Sequence, residues 1–158
     1  MTSFGISIWK FWLLTFVIAV VGFVLWKPLV LNNAPDTATD PHGAVLVGFI
    51  AETAFSSLAM GFGISLLVFG GRVVSALPES ARRSGRVVQL SLVWLTAPWL
   101  IHEGLHVTNG DGRWSRLLGI EFGFHLTSYI AAALAAFAAA RIVSVITAAP
   151  TRAASTSS

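Results

Sequence analysis

Four long apolar stretches separated by short polar ones set the pattern of this chain. The first runs from Ile8 to Leu31 and ends in NNAPDTATDPHG, a segment of turn formers and acids. The second extends from Ala44 to Ser75 and is broken by LPESARRSGR. The third covers Val87 to Val107 and stops at TNGDG, and the fourth runs from Leu117 to Ile146. Each reaches the roughly 20 residues that a helix needs to cross a bilayer. The pattern predicts an all-α integral membrane protein, a four-transmembrane-helix bundle formed by one domain over residues 1–148. The segment APTRAASTSS, within 149–158, reads as a disordered tail. The second stretch is longer than a bilayer demands. Tilt, a projecting end, or a kink at Gly61/Gly63 or Gly70/Gly71 is therefore expected.

Composition strengthens this reading. The 158 residues are 55% hydrophobic and only 11% charged, with a mean hydropathy of +0.77. A soluble domain carries about 25% charged residues. The opening apolar stretch is longer than a signal-peptide core and no small-residue cleavage site follows it, so it reads as a first membrane helix. A multi-pass protein of the cell membrane is expected, with the lipid bilayer as its first partner.

Charge adds direction. The pI of 10.2 does not point to nucleic acid, because the ten Lys and Arg residues are scattered at helix ends. Arg72, Arg82, Arg83 and Arg86 flank the second loop, and Arg141 and Arg152 lie towards the C-terminus. The first and third loops hold Lys27, Arg113 and Arg116 against Asp36, Asp40 and Asp111. The positive-inside rule then gives an N-in/C-in orientation, with loops one and three outside. Ser57, Ala59, Gly61 and Gly63, and the alanines from Ala131 to Ala140, are small residues that let membrane helices approach closely. The same surfaces also suit a membrane-protein partner or a homo-oligomer.

The candidate chemistry gathers on the outer half. His42 lies in a loop between Pro41 and Gly43 and reads as solvated. In contrast, Glu52, His102, His106, Glu121 and His125 fall at similar depths when about 1.5 Å is counted per residue. His102 and His106 share one helix face, as do Glu121 and His125, while Glu103 sits about 100° around from His102. Pro98 lies four residues before His102 and predicts a kink that re-aims the last turns. Charged groups in a membrane cost a few kcal/mol each, so several at one level are most simply explained by a shared partner.

Imidazoles and carboxylates in this pattern suit a transition metal, zinc first, with His102, His106, His125 and Glu121 as ligands. Glu103 is then a natural base, and Glu52 a second candidate for acid–base work. The chain has no cysteine, so thiolate sites and iron–sulfur ligation are excluded. The string HEGLH resembles the motif of zincin metallopeptidases, in which the two histidines bind zinc and the glutamate activates water. The resemblance covers five residues, and the extended HExxHxxGxxH pattern is absent. Asp111-Gly112 stands too close to His106 to act as the later motif of membrane-embedded site-2-type peptidases, so no family is assigned.

Three other readings stay open. A haem b could be clamped by His106, or His102, together with His125, in a pocket made by Phe122, Phe124 and Trp99. The chain would then serve a membrane redox complex. Glu52, Glu103 and Glu121 could instead perform metal-free acid–base chemistry on a lipid-like substrate, as an isomerase or cyclase does. Small size also suits an accessory subunit of a larger membrane assembly.

Overall fold

The computed structural model describes residues 8–30, 43–109 and 114–155, with side chains at 8–26, 47–48, 50–105 and 118–148. Among the described residues every element is a helix: α1 (Ile8–Val30), α2 (Gly43–Ser75), α3 (Glu79–Thr96), α4 (Trp99–Asn109) and α5 (Trp114–Ser155). Among the described residues three stretches are long and apolar enough to cross a membrane, Ile8–Trp26, Ile50–Ser75 and Leu118–Ala148. α2 runs unbroken through both glycine pairs. At about 1.5 Å per residue its 33 residues exceed the roughly 30 Å hydrocarbon core.

The third apolar stretch takes a different form from the single helix expected. It is divided between α3 and α4, and α3 begins at Glu79, so its first turns carry Arg82, Arg83 and Arg86. Pro98 has no N–H and crowds the preceding turn, which ends the regular ladder. Ala97 is still helical, with φ −67° and ψ −37°, and donates to the Val93 carbonyl. The ladder resumes where His102 N–H donates to the Pro98 carbonyl at 2.9 Å. The Trp99 indole N–H donates to the Leu95 carbonyl at 2.6 Å. Side-chain donors of this kind satisfy backbone carbonyls around a break, as an apolar setting requires.

Packing is inverted relative to a water-soluble protein. Among the described residues the largest fully buried side chains are Thr15, Ser57 and Ser65, and Ala19, Ala81, Ala131 and Ala138 are also buried. Phe16, Phe55, Leu67, Tyr129 and Phe137 face outward. Small residues inside and large apolar ones outside are what lipid solvation favours, because lipid tails accept Phe and Leu as readily as a core does. The six tryptophans do not act alike. Trp9 and Trp12 stay exposed, whereas Trp26 is buried.

The closest approach joins α1 and α2. A Cβ at Gly61 would overlap the Thr15 carbonyl oxygen, so only glycine permits this contact. One turn further on, the Ser65 hydroxyl donates to the Phe11 carbonyl at 3.3 Å and lies 2.9 Å from Thr15 Oγ1. A Cβ at Gly63 would stand 2.6 Å from Thr96 Oγ1 and 2.7 Å from Ala97 N, so Gly63 seats the α3–α4 junction on α2. Gln89 Nε2 adds a hydrogen bond to the Leu66 carbonyl at 2.9 Å.

The helices therefore form a row. α1 lies along α2 and also touches α4, α2 packs on α3 and α4, and α5 packs on α3 and α4. No comparable packing joins α1 to α5 among the described residues. The row is open, and its far edge, where α4 meets α5, carries the polar cluster.

Candidate metal centre

His102 enters this edge because α4 starts afresh after Pro98. Its imidazole is buried and turned towards α5. The ring stacks on Phe124, with centroids 4.0 Å apart and planes inclined by 18°. Trp99, one turn earlier in space, meets Phe124 edge-on at 5.1 Å and His102 edge-on at 6.0 Å. These two aromatic side chains fix the plane of the imidazole. On α3, Trp94 Nε1 donates to Thr127 Oγ1 at 3.1 Å, and Thr127 Oγ1 lies 2.6 Å from the Gly123 carbonyl oxygen. α5 is thereby held in register just beyond the cluster.

α5 contributes the remaining members. Glu121 and His125 stand one helical turn apart, so their side chains meet on one face. His125 Nε2 is 2.7 Å from Glu121 Oε2, and His102 Nε2 is 3.9 Å from Glu121 Oε1. One carboxylate thus bridges two imidazoles from two helices. Ligand-type atoms of His102, Glu121 and His125 all lie within 4.8 Å of one another. A tetrahedral ion with bonds of about 2.0–2.1 Å places its ligand atoms roughly 3.3 Å apart. The three side chains can hold a metal ion after shifts of about 1 Å, mostly an opening of the His125–Glu121 pair and a closing of His102 onto Glu121.

The other residues read from the sequence fall elsewhere. Glu103 turns to the opposite neighbour, where the Ser56 hydroxyl of α2 donates to its carboxylate. Glu52, one turn before Ser56, is exposed and acts electrostatically on Glu103. Neither belongs to the His102–Glu121–His125 group. His106 lies in α4, but its side chain is outside the described residues, and His42 lies outside them entirely. Phe122, expected to wall a pocket beside Phe124, is 69% exposed and lines an open concavity with Glu121 and His125.

Two partners were not picked out from the sequence. Ser56 had a usable signal, since it stands one turn from Glu52 on α2 and hydroxyls inside membrane proteins need partners. Tyr129, the only tyrosine, follows Glu121 and His125 at the same four-residue spacing. Together with Phe122 and Leu126 these residues line an open concavity of about 440 Å³. Searches among protein-family models, curated proteins and solved structures return no match to this chain.

Proposed function

We propose that the chain is a four-pass membrane protein whose His102, Glu121 and His125 hold a divalent transition metal, zinc first, near the outer membrane surface. The observation that carries this reading is the meeting of three ligand-type side chains from two helices within 4.8 Å. Two imidazoles and a carboxylate are the donor set of many zinc centres, and three protein ligands leave a fourth position open. An open position is the mark of a centre that binds or activates something, as opposed to a closed structural site.

The arginines at Arg72, Arg82, Arg83 and Arg86 put the α2–α3 turn, and with it both termini, on the cytoplasmic side. α3 and α4 then form the third pass, with the break at Pro98 inside the membrane. For a haem held by His102 and His125, the carboxylate is an obstacle, since Glu121 stands at both of those nitrogens; the pairing of His106 with His125 involves a side chain outside the described residues. Glu103, held by Ser56 on the α2 side, is not needed for this centre.

The test is metal analysis of protein purified from detergent without chelator, beside Glu121→Gln and His125→Ala variants. The expected result is one ion per chain in the parent and little in either variant. Equal metal content in all three proteins refutes the proposal.

A further inference from the structure

We infer that the fourth position of this centre takes the singly charged oxygen head of an amphiphile, a carboxylate or a phosphodiester, entering sideways from the bilayer. This rests on the metal reading above and names what the ion would bind. Direction comes first. His102 closes one side of the cluster, buried against Phe124 and Trp99. Glu121 and His125 line the 440 Å³ concavity on the other side, whose remaining walls are Phe122, Leu126 and Tyr129. Those three are 69%, 57% and 73% exposed, so the concavity opens at the lipid-facing surface of α5. An incoming ligand must pass over apolar side chains to reach the ion.

Charge selects the head. A divalent ion with one carboxylate and two neutral imidazoles keeps a net charge of +1, which in a low-dielectric setting favours a single negative charge opposite it. Tyr129 supplies the second point of recognition. It lies on α5 within the apolar stretch Leu118–Ala148. Its phenol makes no hydrogen bond among the described residues and is exposed on an apolar stretch, where a bare hydroxyl is costly in lipid. One turn separates it from His125, about 6 Å along the axis. An oxygen further along the amphiphile, such as an ester carbonyl, accepts its proton. The chain then runs inward along Leu126, parallel to the surrounding lipid.

The experiment uses full-length protein in micelles, loaded with Co²⁺ so that visible absorption reports the ion's coordination. Oleate, dioleoylphosphatidylglycerol and acetate are titrated into the parent, Leu126→Trp and Tyr129→Phe. The expected result is a spectral change with oleate or with the phosphatidylglycerol, the more effective of the two identifying the head. Leu126→Trp, which fills the concavity without touching a ligand, weakens that response about tenfold and leaves acetate unchanged. Tyr129→Phe weakens the phosphatidylglycerol response about fivefold, the value of one hydrogen bond. The inference is overturned if Leu126→Trp leaves both amphiphiles unaffected, or weakens acetate equally. A parent protein that takes up no Co²⁺ instead refutes the metal reading beneath it, so the two failures are told apart.

Discussion

Glu121→Gln separates the metal's contribution from that of the bare fold. Without an ion, Glu121 offers one partly exposed contact to His125 at 2.7 Å and a longer one to His102 at 3.9 Å. Exposed pairs one turn apart are worth about 0.3–0.5 kcal/mol, and Gln keeps the shape and one acceptor oxygen. The variant should therefore lose no more than about 0.5 kcal/mol when metal-free. With an ion the balance changes, because the carboxylate is the one anionic ligand. At a free metal concentration of 100 times Kd, binding stabilises the parent by about 2.7 kcal/mol. If losing the carboxylate raises Kd about 100-fold, the upper end for disturbing such sites, the same metal concentration stabilises the variant by only about 0.4 kcal/mol. Unfolding in mixed micelles by added dodecyl sulfate, with and without Zn²⁺, measures both quantities. Two results contradict the reasoning. One is a variant that keeps the full metal-induced stabilisation, and the other is a metal-free variant destabilised by more than about 2 kcal/mol, which would make Glu121 structural.

Three further outcomes are expected. Gly61→Ala should destabilise by about 2 kcal/mol in the same unfolding assay, because the Thr15 backbone cannot yield, whereas Gly48→Ala meets nothing within 4 Å and should be neutral or stabilising. Pro98→Ala should restore the ladder between α3 and α4, raise stability by up to about 1 kcal/mol and lower metal affinity, read by competition with a chromogenic chelator; unchanged affinity would show that the break does not position His102. Arg83→Cys in this cysteine-free chain should react with a membrane-impermeant maleimide only after cells are permeabilised, and labelling of intact cells would reverse the orientation.

How much of this was legible in the sequence differs from element to element. The helices of Ile8, Ile50 and Leu118 announced themselves, because length and hydropathy are local properties. The third stretch did not give its true start, since Glu79, Arg82 and Arg83 lower its hydropathy while their helix still packs on α2 and α5. Pro98 marked the break correctly, as the steric rule is local too. Convergence of His102, Glu121 and His125 followed from counting depth on antiparallel helices. Depth alone could not separate them from Glu52, because it says nothing of rotation about the helix axis, and α4 packs on both α2 and α5. The open row was also out of reach: nothing in the hydropathy of α1 or α5 states that their flanks do not meet.

The splitting of HEGLH follows from that rotation. Adjacent residues on a helix point about 100° apart, so a motif whose histidines and glutamate serve one ion needs that ion to lie between their directions. In a soluble zinc site the helix carries its motif on one side and solvent or substrate covers the rest. α4 instead packs against three helices, α1, α2 and α5. His102 and Glu103 are each met by a different neighbour and satisfied there. Ser56 satisfies Glu103 on α2, and the Glu121 carboxylate faces His102 from α5. Exchanging these partners would require α4 to turn by about 100°, burying Glu103 against Phe124 and moving His102 away from its stacking ring. The packing that holds Glu103 at Ser56 is thus the same packing that turns His102 towards Glu121 and His125.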